Sequence, residues 1–386
     1  MATIDLTPRT LTERAGVASE AAAAHADEVD RDARFPIEAI DALRAEGLLG
    51  ALIPVELGGG GTTVGQVAEV VEQLGRSCAT TAMVFAMHQI QVACLVRHGG
   101  TPTIEGYLRE VAANGLLLAS ATTELGVGGD TRSSICAVEP AEGGFRLEKQ
   151  APVISYGEHA DGILATARRT PDSPPNDQVL VVCRRPHVEL ERLSEWDALG
   201  FRGTCSNGFR LTVADDESWV LPEPYGDISS QTMLPTSHVV WGSVWLGLAA
   251  GATDRAKRFV QGEARKKPGT TPPAALHLAD LVGVQQQFAD LVHGAARRFD
   301  ELADDRDALD GMAFAIAMNS LKVSASQLVV DVVHRALQIL GMAGYRNDSP
   351  LSLGRHLRDA HGAALMVNND RLTANNAQML LIHRER

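Results

Sequence analysis

The stretch that decides the fold reads ATTELGVGGD, over residues 121–130. It joins a predicted strand to a glycine-rich turn. Thr122 and Thr123 supply hydroxyls and main-chain N–H groups, and the glycines let the backbone approach a flat ring or a phosphate closely. Because threonine-glycine turns are common, an ordinary surface turn is the simpler interpretation of this stretch when it is taken alone.

Three further segments carry similar features, since each brings a hydroxyl, glycines or a charged pair to the end of a predicted element. They are VISYG at 153–157, QILGMAG at 338–344 and RDA at 358–360. Ser155 follows a second predicted strand, so its hydroxyl is expected to face the same pocket as the threonines. A plain helix C-cap at Gly341 is the simpler interpretation of the glycine-rich segment when it is taken alone.

In this order, and over nearly the whole chain, the four segments resemble the flavin-binding framework of the acyl-CoA dehydrogenase superfamily. That family has Thr-Glu-Pro-Gly-x-Gly-Ser-Asp where this chain has TELGVGGD at 123–130. It has Trp-Ile-Thr where this chain has Val-Ile-Ser at 153–155. The first segment lacks the family's proline and serine and the second lacks its tryptophan, so the usual substrate pocket is not expected here in full.

The resemblance implies FAD as the cofactor. The residues that it places against the flavin ring are Thr122, Thr123, Gly128, Gly129 and Ser155. The residues that it places against the adenosine diphosphate half, across a subunit interface, are Arg265, Gln338, Gly341 and Gly344. The resemblance therefore implies a homodimer or homotetramer. A solvated basic turn is the alternative for Arg265, because RKKPG at 265–269 lacks the aromatic residue of the family's Arg-x-x-Phe-Gly.

The resemblance fails at the catalytic base. Dehydrogenation of an acyl thioester needs a base that removes the α-proton while hydride passes to flavin N5. The family keeps a glutamate shortly beyond the arginine of RDA. A match without gaps from Arg358 puts that position at Val367, and a match backward from the C-terminus puts it at Leu372. Asp370 lies between them and is the candidate base, with an exposed helix cap as the alternative.

Two histidines are reserve candidates for the base. Some family members take the base from an earlier helix, where this chain has Ser237 followed by His238. His88 lies on an apolar helical stretch that the family places near the flavin. Histidine accepts a proton near neutral pH, although a hydrogen-bonded structural histidine is the alternative for both.

The function that the resemblance implies is dehydrogenation of an acyl thioester, carried on CoA or on an acyl carrier protein, with a flavoprotein as electron acceptor. A two-component flavin monooxygenase, which takes reduced flavin from a separate reductase and uses oxygen, is the alternative. That branch does not need the glutamate. A scaffold without activity and an unusual flavin reaction such as oxidative decarboxylation are further alternatives.

Composition excludes several other classes. The net charge of -13 disfavours nucleic acid as a partner, since phosphate binding needs concentrated lysine and arginine. The five cysteines have no CxxC spacing, which argues against a zinc site or a disulfide framework. The apolar run at 239–252 is too short to cross a bilayer, and the N-terminus does not resemble a secretory signal. We therefore expect a cytoplasmic protein without a metal, a membrane partner or a nucleic-acid partner.

The pattern of elements predicts an α+β fold with an N-terminal helical domain (1–114), a middle antiparallel β-domain (115–225) and a C-terminal four-helix bundle (226–386). Helices are predicted at 64–74 and 80–97 in the first domain, and at 239–266, 276–304, 311–340 and 353–367, with a final helix after them, in the third. Strands are predicted at 116–121, 134–138, 144–147, 162–167, 178–182 and 209–213.

Overall fold

The computed structural model describes residues 9–128 and 130–383. Its N-terminal part is helical, as predicted. The helices are α1 Leu11–Arg31, α2 Ile37–Ala45, α3 Val64–Ser77, α4 Ala79–His98 and α5 Pro102–Asn114. Capping boxes start two of them, because the Thr10 and Thr63 hydroxyls accept from the main-chain N–H three residues later, and a Glu or Gln side chain returns the bond. Helix α5 ends at Gly115, whose φ of +61° is left-handed.

The middle part of the chain is a two-sheet β-region. Its strands are β1 Leu118–Ala121, β2 Glu139–Ala141, β3 Gly144–Ala151, β4 Gly162–Arg168, β5 Gln178–Arg184, β6 Val188–Ser194 and β7 Gly208–Asp215. One sheet has the order β1-β4-β5 and the other β2-β3-β7-β6. Most pairs are antiparallel, as expected, but β1 and β4 run parallel. This follows from connectivity, because two strands of the second sheet lie between them in the chain and no hairpin joins them.

One predicted strand was wrong, and strands β2 and β6 were not predicted. The predicted strand at 134–138 is a loop with one isolated bridge, from Ala137 to Arg168, because the N–H groups of Ile135 and Cys136 donate to the Glu124 carboxylate instead of to a neighbouring strand. Strand β6 lies at the edge of its sheet with mostly exposed side chains, so its sequence VELERLS shows no apolar face.

The C-terminal part is a helical bundle, as predicted. The helices are α6 Tyr225–Ile228, α7 Leu234–Lys266, α8 Ala274–Glu301, α9 Arg306–Leu309, α10 Met312–Leu340, α11 Met342–Tyr345, α12 Gly354–Gly362 and α13 Asn369–Ile382. Helices α7, α8 and α10 pack against one another, and α13 packs on α10. A π-helical turn at Ser229–Met233 leads into α7.

One hydrophobic core connects the helical and β parts. Helix α7 packs on α3 and α4 as well as on its bundle partners, and α4 also contacts β1. The β-region is thereby held between the two helical parts, and the loops at its strand ends face α12 and α13.

Helices α4 and α10 are long and apolar enough to cross a membrane by length and composition alone. For α4 this composition has a packing explanation, since 89% of the apolar stretch is buried inside the protein.

Candidate active site

The glycine-rich turn follows β1 directly, as the sequence predicted. Thr122 and Thr123 are half-buried at the end of the strand. Gly126 and Gly128 both have left-handed φ values, +94° and +61°, which a side chain would disfavour. A Cβ placed on Gly128 would meet no heavy atom within 4 Å, so open space lies beside the backbone there. Gly129, also predicted to contact the flavin, lies outside the described residues.

A buried ion pair holds this turn. The Glu124 carboxylate accepts hydrogen bonds from the N–H groups of Cys136 (2.7 Å) and Ile135 (3.1 Å). Lys149 Nζ lies 3.3 Å from Glu124 Oε2 and donates to Thr166 O at 2.8 Å and to Thr166 Oγ1 at 3.1 Å. The Lys149 side chain is fully buried and that of Glu124 is 5% exposed. Each charge therefore has a partner, and the pair joins the turn to the sheet.

The second predicted segment lies beside the first. Thr123 Oγ1 donates to the carbonyl of Val153 at 3.3 Å, which ties the two segments together. The hydroxyls of Ser155 and Ser206 are 2.8 Å apart, and Thr204 Oγ1 lies 2.8 Å from Ser206 Oγ. The structure thus brings hydroxyls from three separate stretches to one edge of the β-region.

The start of α13 lies against the glycine-rich turn. Arg371 Nη2 donates to the carbonyl of Gly128 at 3.1 Å. Asn368 caps the helix, since its Oδ1 accepts from the N–H of Asp370 at 2.7 Å. Asp370, the candidate base, stands in the exposed first turn of α13, next to Arg371. We call the surface between the glycine-rich turn and the start of α13 the crevice, and Asp370 lies on its α13 side, one residue before the arginine that contacts Gly128.

The gap-free alternative position, Val367, has the left-handed φ of +49°. Its carbonyl accepts a hydrogen bond of 2.6 Å from Lys322 Nζ, and Lys322 also donates to Asn369 Oδ1 at 2.8 Å. Leu372, the other alternative, is 4% exposed and packs into the core. The sequence stretch that replaces the family's base segment is thus anchored by a lysine of α10.

The two reserve histidines are both fully buried. His88 Nε2 lies 2.8 Å from the Leu49 carbonyl, and its Nδ1 accepts from the Leu118 N–H at 3.0 Å. Burial lowers the pKa of His88 to about 4. Both ring nitrogens bind the backbone, which favours a structural role for His88, and its role as a base stays a prediction.

His238 has different surroundings. Among the described residues, neither of its ring nitrogens has a side-chain partner at hydrogen-bonding distance, although the nearby Met318 main chain favours a proton on the ring. Burial, and after it the charge of Lys322, lowers the pKa of His238 to about 3. The imidazole is therefore neutral at neutral pH, and its role as a base stays a prediction.

The RDA segment at 358–360 connects the bundle to both other parts. Arg358 pairs with Asp30 of α1, and Asp359 Oδ1 accepts from the N–H of Phe201 at 2.7 Å. A Cβ on Gly200 would lie 2.4 Å from the carbonyl of Arg358, so only glycine allows this approach. The segment positions the loop that leads to Thr204 and Ser206.

Asp359 should make stability depend on pH. Burial raises the pKa of Asp359 to about 6, against the lowering effect of the Phe201 hydrogen bond. A raised pKa gives stability that is present below the unfolded value and is lost as pH rises through 6. The free energy of unfolding of Asp359→Asn, minus that of wild type, should therefore be larger at pH 7 than at pH 4. The increase is up to about 3 kcal/mol. Thermal unfolding at both pH values measures this difference, and an equal difference at the two would contradict it.

Three of the four residues predicted to hold the adenosine diphosphate half lie on the surface, and the fourth is buried. Arg265, in the last turn of α7, is exposed, as are Gln338 and Gly341 at the end of α10. Gly344 is buried, and a Cβ there would lie 2.8 Å from Leu340 Cβ. Gln338 Nε2 lies 3.1 Å from His334 Nε2.

Comparison with known proteins decides the family. The acyl-CoA dehydrogenase N-terminal domain model matches residues 11–115, and the C-terminal domain model matches residues 229–366. Together they span more than half of the chain. This chain belongs to the acyl-CoA dehydrogenase family. It is a flavin-dependent oxidoreductase of that family, and its arrangement of helical, β and helical parts is the family's fold.

Similar proteins have different activities. Cyclohex-1-ene-1-carbonyl-CoA dehydrogenase of Geobacter metallireducens is 28% identical over 363 residues, which cover 92% of this chain and 93% of that protein. The amino sugar nitrososynthase DnmZ of Streptomyces peucetius is 26% identical over 351 residues, covering 87% and 84%. FMN-bound TdsC of Paenibacillus sp. A11-2, a dibenzothiophene monooxygenase, shares the fold with a TM-score of 0.83 at 19% identity, covering 97% of this chain and 98% of TdsC.

Sequence reasoning missed three residues of this family member's site. Contacts between residues far apart in the chain bring Lys149, Lys322 and Arg371 to the crevice or its supports. Lys322 had a visible signal, because it is an isolated lysine in the apolar stretch of α10. The partners of Lys149 and Arg371 cannot be identified without the fold.

Proposed function

We propose that this chain is an FAD-dependent dehydrogenase of acyl thioesters carried on CoA or on an acyl carrier protein. The observation that carries the proposal is the hydrogen bond from Arg371 to the Gly128 carbonyl. It brings the first turn of α13, with Asp370, against the glycine-rich turn. In a flavin-dependent family, a carboxylate at the rim of this crevice is suitably placed to act on a ligand bound beside the turn.

The residues present fit a flavin. Thr122, Thr123 and Ser155 supply hydroxyls, and the open backbone at Gly128 leaves room for a flat ring. When bound, FAD would accept the hydride that leaves the substrate's β-carbon. The protein's part is to hold the ring, orient the thioester and take up the α-proton.

Asp370 is the proposed proton acceptor. Among residues 9–128 and 130–383, none donates a hydrogen bond to its carboxylate, so its oxygens are available to a substrate. Arg371 and Asn368 fix the backbone on both sides of it. A surface cavity of about 420 Å³ next to the turn, lined in part by Gly126 and Arg168, is the proposed place for the arm of the carrier.

An anaerobic titration tests the function. Purified protein loaded with FAD is mixed with cyclohex-1-ene-1-carbonyl-CoA, a saturated straight-chain acyl-CoA and the corresponding acyl carrier protein thioester. The proposal predicts that at least one thioester bleaches the flavin absorbance stoichiometrically. No bleaching by any of these classes, with tight FAD binding retained, would contradict it.

A flavin-dependent monooxygenase is the second candidate. The observation that favours it is the base segment itself, where Val367 occupies the gap-free position and Lys322, a cation, lies behind it. DnmZ and TdsC show that similar proteins include a nitrososynthase and a monooxygenase. This candidate predicts weak binding of oxidised flavin and activity that requires a separate flavin reductase, whereas the dehydrogenase passes its electrons to an acceptor flavoprotein.

The assembly is also a proposal. The exposed positions of Arg265, Gln338 and Gly341, together with the exposed Met342 and Tyr345, support completion of the FAD site by a second subunit. We therefore propose a homodimer or homotetramer, and we propose separately, from the sequence pattern alone, that it is cytoplasmic. Light scattering with and without FAD measures the assembly, and a stable monomer that binds FAD tightly would contradict the proposal.

A further inference from the structure

Lys322 is a lysine in an unusual place. Lys322 is fully buried on α10. Its ammonium group donates hydrogen bonds to two neutral oxygens, the Val367 carbonyl at 2.6 Å and Asn369 Oδ1 at 2.8 Å. Its ammonium lies 5.8 Å from the ring centroid of Trp245. Within the described part of the chain no carboxylate pairs with it. Burying such a group is costly, so its hydrogen bonds to Val367 and Asn369 must offset the cost, and breaking them would be strongly unfavourable.

The turn that Lys322 binds is strained. Val367 is β-branched and has a φ of +49°, a region that such residues rarely adopt. Strain of this kind persists only where the surrounding structure imposes it, and it occurs often at functional sites. The Lys322 hydrogen bond is made to the carbonyl of this same residue, so it holds the peptide in the strained orientation.

A continuous set of contacts joins Lys322 to the crevice. Asn369 Oδ1 accepts from Lys322, and Asn369 Nδ2 donates to Ser326 Oγ at 3.0 Å. Asn369 begins α13, in which Asp370 and Arg371 follow directly. Arg371 then reaches the Gly128 carbonyl. A shift of the turn at Val367 would therefore move both the candidate base and the contact to the flavin turn.

We propose that Lys322 is a positioning residue that clamps the Val367–Asn369 turn and thereby sets the start of α13 against the flavin crevice. The clamp itself is independent of which reaction the enzyme performs. Its catalytic consequence rests on the proposed function, because only there does the placement of Asp370 matter.

The charge environment supports the clamp. His238 of α7 faces Lys322, and because its pKa is far below neutral it carries no competing positive charge. Burial lowers the pKa of Lys322 to about 8, so the ammonium form predominates at pH 7. Hydrogen bonds from an ammonium are stronger than those from a neutral donor, which suits a clamp on a strained peptide.

Hydrogen exchange tests the clamp in the FAD-loaded protein at pH 7. Lys322→Met should speed exchange of the Asn369 and Leu372 amides, which bond to Ala364 and Asn368 carbonyls, about 10-fold or more. Amides in the middle of α10 and in β5 should keep their wild-type rates. Lys266→Met, which changes an exposed lysine, is the control and should leave all of these rates unchanged.

A second substitution separates positioning from general stabilisation. Val367→Gly removes the strain at this peptide, so the double variant Lys322→Met/Val367→Gly should recover most of the lost protection and the wild-type visible circular dichroism of the flavin. A double variant no better protected than Lys322→Met alone, or equal loss of protection in β5, would overturn the assignment. If the double variant recovers its amide protection but no thioester bleaches the flavin of the wild-type protein, the clamp is upheld and the dehydrogenase is rejected.

Discussion

Asp370→Asn should slow flavin reduction by an acyl thioester about 10²- to 10⁴-fold, the usual contribution of a positioned general base. The reason is that Asp370 is the carboxylate that the Arg371–Gly128 contact brings to the crevice. Asparagine has nearly the same size and leaves the Asn368 cap unchanged, since that cap uses the main-chain N–H of residue 370. Rapid mixing of the oxidised variant with thioester under anaerobic conditions measures the rate.

The variant should still bind thioester, which a shift in the flavin spectrum without bleaching would reveal. Asp172→Asn provides a matched control, because Asp172 is an exposed aspartate in a surface turn outside the crevice. It should reduce its flavin at the wild-type rate. If Asp370→Asn is reduced as fast as this control, Asp370 is not the base, and His238 becomes the next residue to substitute.

Lys149→Met should destabilise the protein by about 3–5 kcal/mol, because it leaves the buried Glu124 carboxylate without its cation. The same change should loosen the glycine-rich turn, since Glu124 holds the main chain of residues 135 and 136 to it. We therefore expect weaker FAD binding together with a lower unfolding midpoint. Chemical denaturation and a fluorescence titration with FAD measure the two effects.

The same strand provides the control for this prediction. Arg146 also lies on β3 and pairs with Glu148, but both side chains are about half exposed, and such surface pairs contribute roughly 0–1 kcal/mol. Arg146→Met should therefore have little effect. The double variant Lys149→Met/Glu124→Gln should be more stable than Lys149→Met, because no unpaired charge remains. A Lys149→Met protein as stable as Arg146→Met would disprove the importance of the buried pair.

Much of the fold was predictable because its helices have strong periodic patterns and clear ends. The prediction of 311–340 agrees with α10 (Met312–Leu340) almost to the residue, whereas 353–367 overestimates α12 (Gly354–Gly362). The helix ends at Gly362, and a strained turn at Val367 follows it. That turn is held by Lys322 of α10, a distant residue, so the local sequence does not predict it. The β-region was less predictable, since the pairing of β1 with β4 is set by distant connections.

The candidate site was predictable as a set of segments, but not as a set of contacts. The sequence identified the turn at 121–130 and the hydroxyl at Ser155, and the structure brings them together through Thr123 and Val153. The surroundings of His88 could not be predicted, because its partners Leu49 and Leu118 lie 39 and 30 positions away in the chain. The missing base glutamate was visible from sequence alone, and the structure adds the anchored turn that stands in its place.

The most direct test of this account is the structure of the chain crystallised with FAD. The account predicts that the isoalloxazine ring lies between the wall of Thr122, Thr123 and Ser155 and the first turn of α13, with Asp370 at the rim of the substrate side. A ring bound elsewhere, or side chains filling that crevice in the FAD-bound protein, would contradict it.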